Sequence, residues 1–132
     1  MKKELQDKIF AAFPSLYCDK DLPMTETCMC WGIETGDGWF DLIYQLSQDI
    51  VNISKNVKAL QVKEKFGELR FYFRGDDNKE IFEQVFDCVE NATEKSLTIC
   101  EKCGSTDEVT QTQGWIVTLC KTCKKEYMKD RG

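Results

Sequence analysis

The sequence predicts an α+β fold in which a small antiparallel sheet packs on amphipathic helices and a four-cysteine ribbon follows. Two observations predict the first part. Apolar residues recur at helical spacing on both sides of residues 58–74, whereas inside that segment they alternate with a period of two. The third observation is a pair of Cys-x2-Cys motifs near the C-terminus. We therefore expect an α+β domain over residues 1–98 and a ribbon docked on it over residues 99–132.

The composition limits the chemistry that the chain can perform. Its 132 residues are 42% hydrophobic, which suits one packed core, and they include eight cysteines and no histidine. Without imidazole the chain cannot build a Ser-His-Asp or Cys-His nucleophile, a two-histidine metalloprotease helix or a mixed Cys/His zinc site. The many acidic residues show no spacing that commits them to catalysis. The composition therefore favours binding over catalysis.

The N-terminus and the hydropathy predict a cytoplasmic protein. The chain starts with MKKELQDKIF, which is charged and amphipathic and lacks the apolar core of a signal peptide. No apolar run approaches the roughly 18 to 20 residues that span a bilayer. We therefore expect a reducing compartment, no membrane partner, and cysteines that remain thiols or bind metal.

The first element predicted by apolar spacing is an amphipathic helix that ends at Pro14. Residues 14–36 contain both prolines and have no clean period, so we expect an ordered loop with short strands around residues 24–33. The apolar stripe of the helix consists of Leu5, Ile9, Phe10 and Phe13.

Two further helices are predicted on either side of the alternating segment. The one before it covers residues 38–54, and Asp37 is its expected N-cap because a carboxylate accepts from the free N–H groups of a first turn. The one after it covers residues 77–96 and starts at the Asp76-Asp77-Asn78 turn. Both carry an apolar stripe at three- and four-residue spacing, which predicts packing against the sheet.

Residues 58–74 are predicted to form a hairpin that turns at Phe66-Gly67, where glycine supplies the positive φ of a tight turn. An isolated hairpin is marginally stable, so we expect a third strand from residues 24–33 or strand pairing across a homo-oligomer. One face of the hairpin is cationic. The other is apolar and is expected to pack on the helices through Leu60, Val62, Leu69 and Phe71.

The two cysteine pairs predict a structural zinc site with Cys100, Cys103, Cys120 and Cys123 as its ligands. In a zinc ribbon each pair forms a tight turn that presents two thiolates, and a short hairpin between the pairs brings the turns together. Four cysteines fill the tetrahedral coordination of zinc, so neither substrate nor activated water has a position on the metal. The alternatives are a redox role and an iron centre.

The remaining cysteines have no standard metal-site spacing. We interpret them as buried free thiols, which behave as small apolar side chains, and a second metal or thiol site is the alternative. These residues are Cys18, Cys28, Cys30 and Cys88.

The cationic hairpin face is the candidate ligand site. Arg and Lys donate to phosphate, and a tyrosine ring provides a surface on which a base stacks. Backbone N–H groups at the start of the 38–54 helix favour an anion beside its tryptophan. The alternatives are a solvated sheet face and an aromatic core anchor. The candidate contacts are Lys63, Lys65, Arg70, Tyr72, Arg74 and Trp39.

Charge is distributed unevenly along the chain. The net charge is −5, and the acidic residues concentrate in residues 19–50 and 76–98. The cations concentrate in residues 58–75 and at the C-terminus. An anionic partner is therefore expected at one of these two cationic segments. The C-terminal segment contains Lys121, Lys124, Lys125, Lys129 and Arg131.

Three motifs in fixed order resemble a known family. They are Gly36-Asp37-Gly38-Trp39, the run QVKEKFGELRFY over residues 61–72, and Cys-x2-Cys-Gly followed by Gly114-Trp115 and Thr118-Leu119-Cys120. In this combination the chain resembles a family of small bacteriophage and prophage proteins from about Phe13 to Cys123. The resemblance implies a protein made inside an infected bacterial cell, and it implies no particular reaction.

Three functional hypotheses follow from these observations. The first is a non-enzymatic phage-encoded binding protein with a counter-defence role, which captures a host protein or a nucleotide signal. The second is a nucleic-acid or transcription-associated zinc-ribbon module that uses the C-terminal cations. The third is a nucleotide-cleaving hydrolase that uses Asp or Glu with a transient metal.

Overall fold

The structure is a computed structural model that describes residues 1–23 and 27–131, and for residues 130 and 131 it describes the backbone alone. It has the predicted α+β fold. Over the described residues, no helix is both long and apolar enough to cross a membrane. The elements in chain order are α1 Lys3–Ala12, β1 Ile33–Glu34, α2 Phe40–Ile53, β2 Lys58–Lys65, β3 Glu68–Arg74, α3 Lys79–Ser96, β4 Thr110–Gln111, β5 Thr118–Leu119 and α4 Lys121–Arg131.

The main sheet has three strands in the order β1-β2-β3. The predicted hairpin is confirmed, because β2 and β3 pair antiparallel. The third strand differs from the expectation. It starts at Ile33, where the predicted strand segment ends, and it runs parallel to β2 with Ile33 beside Val62. The preceding residues Met29–Trp31 form a 3-10 turn, and residues 24–26 of the predicted segment lie outside the described residues.

A bulge in β2 changes which side chains reach the core. The strand register shifts between Ala59 and Gln61, so Leu60 is an extra residue relative to β3. Ala59 is therefore fully buried opposite Phe73, whereas Leu60 is half-buried. The prediction that Leu60 belongs to the packed face is wrong for this reason, since simple alternation contains no bulge. Val62, Leu69 and Phe71 are buried as predicted.

Helix α3 covers the free edge of β3. The Ser96 hydroxyl oxygen accepts from the Leu69 N–H at 2.9 Å, and the Thr93 hydroxyl donates to the Leu69 carbonyl at 3.0 Å. These bonds satisfy backbone groups that an edge strand leaves exposed. The helix begins at Lys79 rather than at residue 77, and Asn78 of the predicted turn is its cap, because the Asn78 side chain accepts from the N–H groups of Glu80 and Ile81.

The start of α2 differs from the prediction. Residues Asp37–Trp39 form a 3-10 turn, and the α-helix begins at Phe40, two residues later than predicted. Asp37 caps neither element. Its Oδ1 instead accepts from the backbone N–H of Lys2 at 2.8 Å, so it fastens the N-terminal segment.

The core lies between the covered face of the sheet, α2 and the loop that follows α1. The loop joins β2 directly, because the Ala59 N–H donates to the Leu16 carbonyl at 2.8 Å. A buried hydroxyl pair, Tyr17 and Ser47 at 2.7 Å, lies within this core. The largest fully buried side chains are Trp39, Tyr17, Ile9, Leu16, Met29, Ile33, Ile43, Ile50, Leu69, Val57, Val62 and Val85.

The C-terminal part of the chain that contains the cysteine pairs (residues 99–131), which we call the cysteine module, packs against the start of α2. The backbones of residues 36–39 and 99–104 meet there, and we call this contact the module joint. The Gly38 N–H donates to the Glu101 carbonyl at 2.7 Å, and the Trp39 indole N–H donates to the Ile99 carbonyl at 2.9 Å. A Cβ atom on Gly38 would lie 2.1 Å from the Cys100 carbonyl oxygen. Glycine at position 38 is therefore a steric requirement of this contact.

A second contact joins the cysteine module to the turn of the β2–β3 hairpin. The Thr118 hydroxyl, at the start of β5, donates to the Gly67 carbonyl. A Cβ atom on Gly67 would lie 2.8 Å from the Ile116 side chain. All three motifs that carry the family resemblance therefore meet where the cysteine module packs on the sheet and α2.

We predict that Gly38→Ala lowers the free energy of unfolding by about 2–3 kcal/mol, because the new methyl group overlaps the Cys100 carbonyl and pushes the module joint apart. Urea denaturation measures this loss. The matched control is Gly114→Ala, where nothing lies within 4 Å of the added atom and the cost comes from the φ of +75° alone, about 1 kcal/mol. Equal losses in the two variants would contradict the steric role of Gly38.

Candidate functional site

The four predicted metal ligands converge in the structure. Cys100 and Cys103 lie in the turn after α3, Cys120 directly precedes α4, and Cys123 lies in the first turn of that helix. One ligand atom from each lies within 4.8 Å of all the others. The second pair differs in detail from the prediction. It lies at the start of a helix rather than in a second strand turn, since the Lys124 N–H donates to the Cys120 carbonyl.

The separation of the sulfurs fits a single metal ion. A tetrahedron with metal–sulfur distances of about 2.3 Å has edges of about 3.8 Å. The Cys103 and Cys120 Sγ atoms are 3.7 Å apart, and all four cysteines are free thiols rather than disulfides. The cluster can therefore hold a metal ion, and all of its tetrahedral positions come from the protein.

The backbone around the cluster favours a thiolate at Cys100. Burial alone would raise the pKa of this thiol, but the N–H groups of Cys120, Cys103 and Lys102 point at its sulfur and together lower the pKa to about 7. Burial and the neighbouring thiols raise the pKa of Cys123 instead. A metal cation in the centre of the cluster would offset this rise in the pKa of Cys123, because cysteine binds metal as the thiolate.

The other cysteines do not form a comparable cluster. In the part of the chain that the structure describes, no second group of metal-binding side chains lies this close together. Cys18, Cys28 and Cys30 are exposed on the loop between α1 and β1, and Cys88 is half-buried on α3. The interpretation of these residues as buried thiols is therefore wrong for the first three, because the loop carries them on its outer side.

The hairpin residues predicted to contact a ligand lie on one face of the sheet. Directly opposite residues of an antiparallel pair share a face. Lys63 lies opposite Arg70, and Gln61 lies opposite Tyr72. With the alternation of each strand, this register collects Lys63, Lys65, Arg70, Tyr72 and Arg74 on the face turned away from the core, together with Lys58.

This cationic face is only partly neutralised. Arg70 pairs with Glu68 at 2.6 Å. Among the residues that the structure describes, no carboxylate is within ion-pairing distance of Lys63 or Arg74. The Arg70 Nε atom is buried and has no hydrogen-bond partner among them. Like charges directly opposite each other destabilise a sheet, so an anion on this face would relieve the repulsion between Lys63 and Arg70.

A groove runs between the cationic face and α3, and we call it the β3–α3 groove. It has a volume of about 590 Å³, and Arg70 and Tyr72 line its sheet side. Phe82 and Phe86 line the helix side, where their rings stack with centroids 6.4 Å apart. All three aromatic rings are between 40% and 44% exposed. Exposed aromatic side chains gathered in one place indicate an interaction site.

Phe82 and Phe86 are groove residues that the sequence did not predict. Their helical spacing assigned them to the core stripe of α3 together with Val85 and Val89. Only the valines are buried. Phe82 and Phe86 are four residues apart, as Val85 and Val89 are, but they form a stripe that is rotated around α3 by one residue relative to the valines. This offset is the feature of the sequence that distinguishes the exposed stripe from the buried one.

Trp39 is not part of this surface, and its assignment as a ligand contact is corrected. The side chain is fully buried, and its indole N–H is already bonded to the Ile99 carbonyl. The alternative that the sequence left open, an aromatic core anchor, describes what the structure contains.

The C-terminal lysines lie along one side of α4. Lys121, Lys125 and Lys129 are one helical turn apart, and with Lys124 they line a shallow cavity of about 620 Å³. Lys121 lies 3.7 Å from Glu108. The side chain of Arg131, the last residue of the predicted cationic segment, lies outside the described residues.

Comparisons with known proteins give no match: no family model, no curated protein and no solved structure matches this chain. The resemblance to bacteriophage proteins therefore stays a prediction.

We predict that the purified protein contains one metal ion per chain and that Cys100→Ser removes both the metal and several kcal/mol of stability. Metal binding and folding are coupled in four-cysteine sites, and the module joint depends on the same turn. Elemental analysis and thermal unfolding measure the two effects. Cys88→Ser is the matched control and should retain the metal. A folded, metal-free protein with four reactive thiols in the cluster would contradict the assignment.

Proposed function

We propose that the chain is a non-enzymatic binding protein that captures a nucleotide in the β3–α3 groove. The observation that carries the proposal is the half-exposed Tyr72 ring, which shares the cationic sheet face with Arg70 and lies across the groove from two exposed phenylalanines. Cations recognise phosphate, and aromatic rings stack on bases. The groove offers both within one surface.

The two walls of the groove match the two ends of a nucleotide. On the sheet side, Arg70 offers its terminal N–H groups for phosphate beside its ion-pair partner Glu68, and Lys63 lies directly opposite Arg70 on the same face. On the helix side, Glu90 and Glu94 line the groove and accept from the exocyclic amino groups of a base. A simple anion would use the first wall alone. This polarity supports a nucleotide over inorganic phosphate.

We propose zinc as the metal of the cysteine cluster, with a structural role. Four thiolates in a tetrahedral arrangement are the ligand set that structural zinc prefers. Cys100, Cys103, Cys120 and Cys123 would hold the ion and so fix the turn that contacts Gly38 and Trp39. The cluster would therefore support the fold rather than take part in ligand chemistry.

The resemblance to bacteriophage proteins suggests a biological setting for this capture. A phage protein that binds a nucleotide without cleaving it would lower the free concentration of a host defence signal in the infected cell. Capture of a host protein is the other form of the hypothesis. The groove favours the nucleotide, because its aromatic surface is small and lies between Arg70 on the sheet side and the glutamates on the helix side.

We predict that calorimetry detects binding of at least one member of a panel of cyclic dinucleotides, cyclic trinucleotides and ADP-ribose compounds. Tyr72→Ala should weaken that binding about 5- to 100-fold through lost stacking, and Tyr72→Phe should retain most of it. Arg70→Gln should weaken it by about tenfold or more. Lys8→Gln, an exposed charge change on α1, is the control and should have no effect.

The outcomes separate the hypotheses. Chromatographic recovery of the intact nucleotide supports capture, whereas a cleaved product would establish the hydrolase alternative. No binding across the panel would contradict the proposal and leave a host protein as the target.

The lysine row on α4 favours a second candidate, binding of nucleic acid by the cysteine module. Lys121, Lys125 and Lys129 point to the same side of the helix at intervals that let them contact successive phosphates. This binding would not depend on sequence, because phosphate contacts position a nucleic acid without reading its bases.

For this candidate we predict a gel shift at about 50 mM salt that weakens steeply towards physiological salt. The double variant Lys121→Gln/Lys125→Gln should lower the slope of log affinity against log salt by about 1 for each lysine. Lys8→Gln/Lys79→Gln removes the same charge elsewhere and serves as control. The absence of any shift at low salt would end this candidate.

A further inference from the structure

We infer that the ligand of the cationic face is a single-stranded oligonucleotide that extends from the β3–α3 groove to the hairpin turn, where Phe66 stacks a second base. The inference rests on the proposed nucleotide capture and names a longer ligand for the same site. Three observations carry it: the presentation of Phe66, the line of cations between the two rings, and the distance between them.

Phe66 is held in solvent by the fold. Its side chain is 65% exposed at the tip of the hairpin, and its φ is +54°, a conformation that bulky side chains rarely adopt. The turn is fixed on both sides of Gly67. The Glu64 carboxylate accepts from the Gly67 N–H at 2.7 Å, and the Thr118 hydroxyl donates to its carbonyl. A strained and clamped aromatic residue at a surface indicates a functional position.

The Phe66 ring lies on the cationic side of the turn. Its centroid is 5.6 Å from the Lys65 ammonium, and Lys65 belongs to the cationic face by strand alternation. From Tyr72 to Phe66 the face presents an aromatic ring, the Lys63 and Arg70 pair, Lys65 with Glu68 opposite it, and a second aromatic ring. This order, ring then cations then ring, matches the bases and phosphates of a strand that runs along the hairpin.

The spacing sets the length of the ligand. Tyr72 lies opposite Gln61, and Phe66, which directly follows the last residue of β2, is five positions after Gln61 along the chain. At about 3.3 Å per residue this distance is about 16 Å. Stacked bases rise about 3.4 Å each, so about five stacked nucleotides or fewer extended ones span it.

The same arrangement selects a single strand over a duplex. The rings of Tyr72 and Phe66 offer flat surfaces, and the faces of paired bases are already stacked on their neighbours inside a helix. Phosphate contacts alone would not distinguish the two forms. A single strand can place its bases on the rings and its phosphates on the cations between them.

The test is fluorescence anisotropy with labelled oligodeoxyadenylates of one to eight nucleotides. We expect affinity to rise at least tenfold between one and about five nucleotides and then to level off. Phe66→Asn should remove that rise and leave the affinity for the single nucleotide unchanged. Asn tolerates positive φ, so this variant should fold at least as well as the parent chain. Phe66→Trp keeps a ring for stacking and should preserve the rise.

The outcomes separate this inference from the proposed function. Binding of the mononucleotide without any gain from length would overturn the inference and leave nucleotide capture standing. Equal binding of a duplex of the same length would also overturn it, because phosphate contacts would then suffice. Loss of the length-dependent gain in Lys121→Gln/Lys125→Gln would assign the strand to α4 instead. No binding of any nucleotide or oligonucleotide would contradict both proposals.

Discussion

The close approach of Gly38 to the first cysteine pair is the constraint on which the rest of the structure depends. At this point two backbones touch, because the Gly38 N–H bonds the Glu101 carbonyl and the missing side chain leaves room for the Cys100 carbonyl. The next residue, Trp39, is the largest fully buried side chain and bonds the Ile99 carbonyl. One contact therefore sets the start of α2, the centre of the core and the position of the cysteine cluster. A change in any of these must change the others.

The second contact extends this constraint to the sheet. Thr118 bonds the turn of the β2–β3 hairpin at Gly67, and α3 closes the far edge of β3 through Ser96 and Thr93. The hairpin is thus held at its tip and along its edge, while its cationic face stays open. The three sequence motifs are far apart in the chain, but all of them help to hold the cysteine module against the sheet and α2. The side chains available for binding remain on the opposite side, beside Tyr72.

The sequence predicted the elements better than their environments. Periodicity located the hairpin and helices α1 to α3, and cysteine spacing located the cysteine cluster, because both signals are local. Helix α4 was not predicted. The bulge at Leu60 and the exposure of Phe82 depend on which neighbour covers each residue, and a period does not contain that information. Trp39 shows the same limit in the opposite direction. Its position beside two glycines suggested a ligand pocket, whereas the glycines admit the cysteine turn and the indole fills the core.

Stability and ligand binding make opposite demands on the hairpin. Lys63 lies opposite Arg70 and has no ion-pair partner among the described residues, Phe66 adopts a φ that disfavours its side chain, and the rings beside Tyr72 leave apolar area in water. All of these features lie outside the core, so single substitutions could remove them without disturbing the packing. An anionic ligand with aromatic bases would screen the cations and cover the rings at the same time. One ligand would therefore offset several unfavourable features of the hairpin together, which supports binding at this face more strongly than any one feature does alone.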